Sequence, residues 1–470
     1  MTECNQLDFG FHPIQRRGVV GRFDGGSITS DAGALLLREV ELRTGIVKQF
    51  AACFKDYRDP ELIEHTLETL IAQRVHGLAL GYEDLNDHDQ LRADPLLALV
   101  VNHPDPLGAR RRNERDRGKA LAGKSTLNRL ELTPATADAS SRYKKIVYDR
   151  TAVEALFVEL FLQAHATPPS EIILDLDATD DPVHGNQQGR FFHGYYREYC
   201  YLPLYMFCGE HLLCARLRPA NIDGAAGALK IVRRIVERIR AQWPTTRIIL
   251  RGDSGFCREH LTAYCEEHGL YYVFGLARNS RLEAELAAEM AQAEAQYKAT
   301  HQAARVFKDF VYQTRDSWSR PRRVVGKAEY LEKGANPRFV VTNLPASEQD
   351  ARTLYEDTYC ARGEMENRIK EQQLFLFADR TSTATMRANQ LRLWFSSVAY
   401  VLMHALRRLG LHDTELQSAT CQTVRLKLLK IGAQIKVTVR KVWLSLAEGY
   451  PLKRLFAEVC RRLQALPLRC

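Results

Sequence analysis

The chain has 470 residues, with 66 Lys or Arg against 57 Asp or Glu and a formal net charge of +9. At about 150 residues per domain, that length suggests roughly three domains or lobes. A hydrophobic fraction of 45% and a charged fraction of 26% exclude disordered, collagen-like and disulfide-scaffold chains, and no run reaches the roughly 18 apolar residues of a membrane span. Residues 1–4 are polar and acidic, with no basic-then-apolar leader, so export is not expected. The eleven cysteines are scattered, with no C-x-x-C pair. They suit reduced thiols in a cytoplasmic protein, and Cys200, Cys208 and Cys214 read as buried and inert.

The charge is uneven. From residue 380 onward there are 16 Lys or Arg and 4 Asp or Glu, so the rest of the chain is slightly acidic. A second basic cluster runs Arg110, Arg111, Arg112, Arg115, Arg117, Lys119 and Lys124. Such faces attract polyanions, DNA being the commonest large one.

Residues 27–130 read as mainly helical, with Ser30-Asp31 capping a helix that begins near Leu35. A further helix spans 152–165. Thr167-Pro168-Pro169-Ser170 then breaks the pattern, which places a boundary at 169. Residues 171–177 read as a buried strand ending in acid. Strands over 198–208 and 211–217 follow, joined at Gly209. A helix over 221–243, a strand over 247–250, a helix over 258–268 and a strand over 270–276 come next. The first three strands suit an antiparallel meander, and the later ones need helical crossovers. This order resembles the ribonuclease-H-like fold. Residues 306–312, 322–330 and 338–341 add strands, and 355–375 and 385–409 read as helices. Four regions are thus expected: a mainly helical DNA-binding region at 1–169; an α/β core from 170–280 and 345–410; a β-rich insertion at 281–344; and a basic C-terminal region at 411–470.

Asp177 ends its strand and Asp253 follows the strand over 247–250, so both carboxylates belong at the carboxyl edge of a sheet, where ligand sites gather. Clustered acids imply a cation or a raised pKa. Further on, Tyr359, Arg362 and Glu366 share one helix face by their spacing of three and four. That face offers a phenol, a guanidinium able to grip phosphate, and a third carboxylate. The stretch Asp175-Leu176-Asp177-Ala178-Thr179 also resembles the nucleophile motif of haloacid-dehalogenase-like phosphatases. The acidic pair that family needs later is missing, since Cys257 stands four residues after Asp253 and Asp180-Asp181 lies too close.

Together, Asp177, Asp253 and the Tyr359-x-x-Arg362-x-x-x-Glu366 stretch resemble the catalytic set of bacterial insertion-sequence DDE transposases, in the group marked Y-x-x-R-x-x-x-E-x-x-x-x-x-x-K. The wider text, including residues 26–34, 175–186, 251–256 and 362–370, is similar to the family called thirteen-eighty. The resemblance covers most of residues 20–410. Gln373 stands where the motif has Lys, with Lys370 and Arg380 as nearby cations.

The resemblance implies a ribonuclease-H-like core with a β-rich insertion, acting as a transposase that cleaves and transfers DNA strands at element ends. The alternatives are a catalytically silent, transposase-derived DNA-binding protein and a haloacid-dehalogenase-like phosphatase using Asp175-x-Asp177-x-Thr179. Asp177, Asp253 and Glu366 would hold two Mg²⁺ ions, with Mn²⁺ able to substitute. Tyr359, Arg362 and Lys370 would bind DNA phosphates, and Trp318 would stack on a base or pack its hairpin. The implied partners are double-stranded DNA and a second subunit in a homodimer, with no membrane, in the bacterial cytoplasm and nucleoid. Arg387, Arg392, Arg407 and Arg408 are expected to give end binding a steep salt dependence.

Overall fold

Strict alternation along the strand Glu171–Ala178 (β1) decides which side of the sheet is chemical. In the computed structural model, which describes residues 8–469, Ile172, Leu174 and Leu176 join one apolar cluster. Ile173 packs with a different cluster. Side chains two apart share a face of a strand, so Asp175 and Asp177 lie on the Ile173 side. The acidic start, residues 1–4, lies outside the described residues.

The chain divides into two units. One takes Arg150–Leu374 and Ala378–Ser397. It is built on a nine-stranded mixed sheet. Leu204–Cys208 (β2) and His211–Arg216 (β3) continue from β1 as an antiparallel meander. Arg247–Gly252 (β4) lies parallel to β1, and Tyr271–Leu276 (β5) parallel to β4. The strands Ala304–Tyr312 (β6), Arg322–Leu331 (β7) and Arg338–Thr342 (β8) extend the same sheet, giving the order β3-β2-β1-β4-β5-β8-β7-β6, with the two-residue strand Gly334–Ala335 paired to β7 as the ninth.

The helix Arg150–Gln163 (α1) places Val158, Phe161 and Leu162 in the sheet's apolar cluster. The helical segment before residue 169 is therefore part of the sheet unit. The helix Ala228–Gln242 (α2) adds Ile231, Val232, Ile235, Val236 and Ile239, an apolar stripe at helical spacing. It starts seven residues later than its periodicity suggests, after Gly227 at φ 75°, a conformation in which glycine carries no Cβ penalty.

Two other expectations are corrected. The stretch 198–208 is two strands, because Pro203 has no N–H to donate to a ladder. Glu198–Tyr201 pairs with Asp181–Pro182 and Phe191–His193 in a small sheet, and only β2 joins the large one. The β-rich insertion is likewise continuous with the core sheet. β8 pairs antiparallel with β5 from Val273 to Leu276, covering an edge that would otherwise expose unpaired backbone groups.

Arg322 ties β7 to the helix Glu259–Glu267 (α3). Its guanidinium reaches Glu259 at 2.6 Å and Glu266 at 2.7 Å, and its side chain is 2% exposed. Burial raises the Glu259 pKa, but bonds from Arg322 and Ser319 outweigh it and hold the carboxyl down at about 2. The folded pKa lies below the unfolded one of about 4.3. The stabilisation is therefore complete above that value and fades as pH falls toward 2. Glu259→Gln should lower the melting temperature at pH 7 and remove much of the difference between pH 7 and pH 3. Parallel wild-type and variant melts across that range check this.

The other unit takes Met1–Asp149, Phe375–Phe377 and Val398–Cys470. Its two ends share a sheet, with Ser27–Thr29 pairing antiparallel with Ala433–Val437 and that strand with Val442–Leu446. The C-terminal region is therefore integrated with the N-terminal one. Gly33 is required there, since a Cβ would stand 2.1 Å from the Leu428 carbonyl oxygen. Asp31 makes no cap bond. It pairs with Lys430 at 2.5 Å and accepts from the Tyr82 hydroxyl at 2.6 Å. Some of the basic excess is internal: Arg425 donates to the carbonyls of Leu78, Ala79 and Phe375. Arg407 is 2% exposed and donates to Ala419, so its charge serves the fold. In the earlier cluster, Arg111 is held by Glu64 and His65, while Arg115 and Arg117 stay exposed.

Candidate active site

β1 and β4 are parallel neighbours, and Arg251 sits directly opposite Asp175. The two form a bidentate pair, 2.5 Å to Oδ1 and 2.7 Å to Oδ2, and both are buried. Arg251 also donates to the Thr358 carbonyl at 2.5 Å. It thereby ties the strand to the segment that carries Tyr359 and Arg362. Asp175 is thus committed to a structural ion pair, which leaves the phosphatase reading without an accessible nucleophile.

Two residues on, Asp177 opens into a cleft of about 720 Å³. The same cleft is lined by Asp253, Arg362, Glu366 and Lys370. Asp253 is held at the end of β4 by a turn in which its Oδ1 accepts from the Gly255 N–H at 2.8 Å. Asp177 Oδ1 accepts from the Ala178 N–H at 2.9 Å. Arg362 lies between two of the acids, at 3.5 Å from Asp177 and 2.8 Å from Glu366. All three sequence-predicted carboxylates therefore face one space.

The helix expected over 355–375 is irregular where it matters. Leu354–Tyr359 is a wide π-helical turn, Cys360–Arg362 a tight turn, and Gly363–Leu376 (α4) a regular helix. Such π segments cluster at functional sites. Tyr359 packs on Tyr355 with ring centres 5.5 Å apart. Its hydroxyl stands 2.6 Å from where a Cβ on Gly275 would be, and the Ser254 nitrogen 2.9 Å from it. Glycine at 275 therefore admits both the phenol and the Asp253 turn. Burial and the Asp253 charge raise the Tyr359 pKa, which keeps the phenol protonated and able to donate. Lys370 is exposed on the cleft wall. Gln373, at the motif's lysine position, donates to the Asp180 carbonyl at 2.9 Å.

Burial pushes Asp177 up to about 7, with Asp253 and Glu366 adding to the rise and Arg362 opposing it. One guanidinium among three carboxylates leaves the cleft short of positive charge. All three are hard oxygen donors, the chemistry of Mg²⁺ and Mn²⁺, so the residues present fit such an ion. Among the described residues, no group of three or more His, Cys, Asp or Glu is placed to hold a metal ion as the side chains stand. Arg362 supplies the counter-charge between Asp177 and Glu366.

Trp318 is elsewhere, 7% exposed in the sheet's apolar cluster. It meets Tyr312 edge-on with ring centres 5.8 Å apart, and the Arg322 guanidinium lies 5.2 Å from its ring. The ring is a packing residue of the insertion. Trp318→Ala should cost about 3–5 kcal/mol of stability; an unchanged denaturation midpoint would contradict that role. Arg251 and the pair Tyr195 and Tyr196 were missed as parts of the site. Tyr195 is 83% exposed, and both tyrosines line the cleft. The only signal was an aromatic pair in the polar stretch Gly194-Tyr195-Tyr196-Arg197.

A cleft of acids on a mixed sheet, with an arginine and a lysine beside them, is the equipment of a DNA-processing enzyme. The chain belongs to the transposase family described as transposase DDE domain group 1, whose model matches residues 11–468. No curated protein matches the chain. The family implies DNA as partner. Among the described residues, no helix is long and apolar enough to cross a membrane.

Proposed function

We propose that this transposase belongs to the Tyr-Arg-Glu-Lys group and the thirteen-eighty family. Its sheet unit is a ribonuclease-H-like core that cuts element ends and joins them to target DNA. The observation that carries this is the meeting of Asp177, Asp253 and Glu366 in one cleft, with Arg362 between two of them. The three carboxylates would hold Mg²⁺, or Mn²⁺ in its place. Two such ions, when bound, supply Lewis-acid polarisation of the phosphate and charge for the in-line displacement.

The chain's own residues bind and orient the DNA. Arg362 grips a phosphate, the protonated Tyr359 donates to the same backbone, and Lys370 draws the strand into the cleft. Gln373 braces the turn after Asp177 through the Asp180 carbonyl. Tyr195, on the rim, takes the base-facing role first assigned to Trp318. The working complex is a homodimer on paired ends in the bacterial nucleoid.

A cell-based excision assay tests this reading, using a marker bounded by the inverted repeats that flank the protein's own coding region. Excision should occur with the wild-type chain and vanish with Asp253→Ala. Wild-type protein that binds the repeats but never excises would overturn it.

A further inference from the structure

A second buried acid, Asp181, lies four residues beyond Asp177 and does not line the cleft. Asp181 starts the short strand paired with Tyr201, and it is 1% exposed. Neither of its carboxylate oxygens accepts a hydrogen bond from the described residues. The groups acting on it are the carboxylates of Asp379 and Asp180 and the hydroxyl of Thr381. That hydroxyl acts favourably, yet its own oxygen is buried and also lacks a partner of good geometry. Gln187 donates its amide N–H to the Thr381 carbonyl at 3.4 Å, and its side-chain oxygen is buried without a partner. The fully buried Tyr205 feels both Asp181 and Asp379.

An uncompensated buried carboxylate costs several kcal/mol. Burial and Asp379 accordingly push the Asp181 pKa well above the carboxylate range. No Lys, Arg or His among the described residues pairs with it. The unpartnered atoms are all oxygens and come from three separate segments. Carboxylate, hydroxyl and amide oxygens are hard donors and suit hard cations rather than zinc. Two carboxylates with hydroxyl and amide oxygens leave coordination positions for water.

We propose that Asp181, Asp379, Thr381 and Gln187 bind a hard divalent cation at a second, structural site. The ion pins the segment 378–385 to the hairpin that follows Asp177. Hydrogen bonds already join these parts: the Gln188 N–H donates to the Ala384 carbonyl at 2.9 Å, and the Gln187 amide to the Thr381 carbonyl at 3.4 Å. The site is independent of the DNA chemistry, and its failure would leave that reading intact.

The test uses full-length chelator-stripped protein carrying Asp177→Asn, Asp253→Asn and Glu366→Gln, so that the cleft no longer contributes. Tb³⁺ is titrated in, with luminescence excited through tyrosine, and bound metal is counted by mass spectrometry. The expected result is one ion per chain, displaced by Ca²⁺ or Mg²⁺, with a rise in melting temperature. Asp181→Asn, which matches the carboxyl in shape, should weaken Tb³⁺ binding at least about tenfold and abolish the thermal shift. The half-buried Asp379→Asn should weaken it in the same direction. Overturning results are no bound ion in the cleft-silenced protein, displacement by neither Ca²⁺ nor Mg²⁺, or undiminished binding by both variants.

Discussion

Changing Asp177 or Asp253 to Asn, or Glu366 to Gln, is expected to lower strand cleavage at a cognate end by about a thousandfold or more. Each amide keeps the shape of its acid and removes the charge. At Asp177 this also relieves a cost, because burial and two neighbouring acids disfavour that charge. The variant should therefore fold at least as well as the wild type in metal-free buffer. End binding should be kept, since it rests on cations outside the triad. Cleavage of a labelled end, with binding measured on the same DNA, separates the two quantities. Activity within tenfold of wild type in any of the three would remove that residue from the proposed set.

Arg251→Met should destabilise the fold by about 3–5 kcal/mol. It leaves Asp175 charged and buried with its bidentate partner gone. It also frees the Thr358 carbonyl that holds the turn before Tyr359. For a unit of this size, the melting temperature should fall by roughly 10 °C. Adding Asp175→Leu should restore most of the loss, because the unpaired charge is then gone. Paired thermal melts of the single and double variants check it. A double variant no more stable than the single would mean that the Thr358 contact, not the ion pair, carries the energy.

The carboxylates were legible because strand alternation and strand ends are local properties. Asp175 and Asp177 had to share a face, and β1 and β4 had to deliver Asp177 and Asp253 to one edge once they paired in parallel. Glu366 and Arg362 were legible because a spacing of four holds in α4 even though the turn before it is widened. Long-range pairing was not legible. Nothing local says that β8 returns to β5, so strands from the insertion were read as a separate region. Pro203 was readable as a ladder break but lay inside an apolar run. The basic tail misled for a related reason: Arg407 and Arg425 count as charge in a composition, yet in the fold they satisfy carbonyls. Trp318 among arginines left base stacking and hairpin packing both open, because its sequence neighbours are polar. Arg322 and Tyr312 instead close over it from β6 and β7.

The central claim is that this cleft cuts DNA. Purified full-length protein, mixed with duplex DNA bearing one of the inverted repeats that flank its coding region, tests that claim most directly. With Mg²⁺ or Mn²⁺ it should nick at the repeat boundary and leave a 3′-hydroxyl. With chelator, or with Asp253→Asn, it should leave the strand whole. Tight, repeat-specific binding with no cut in either metal would contradict the account.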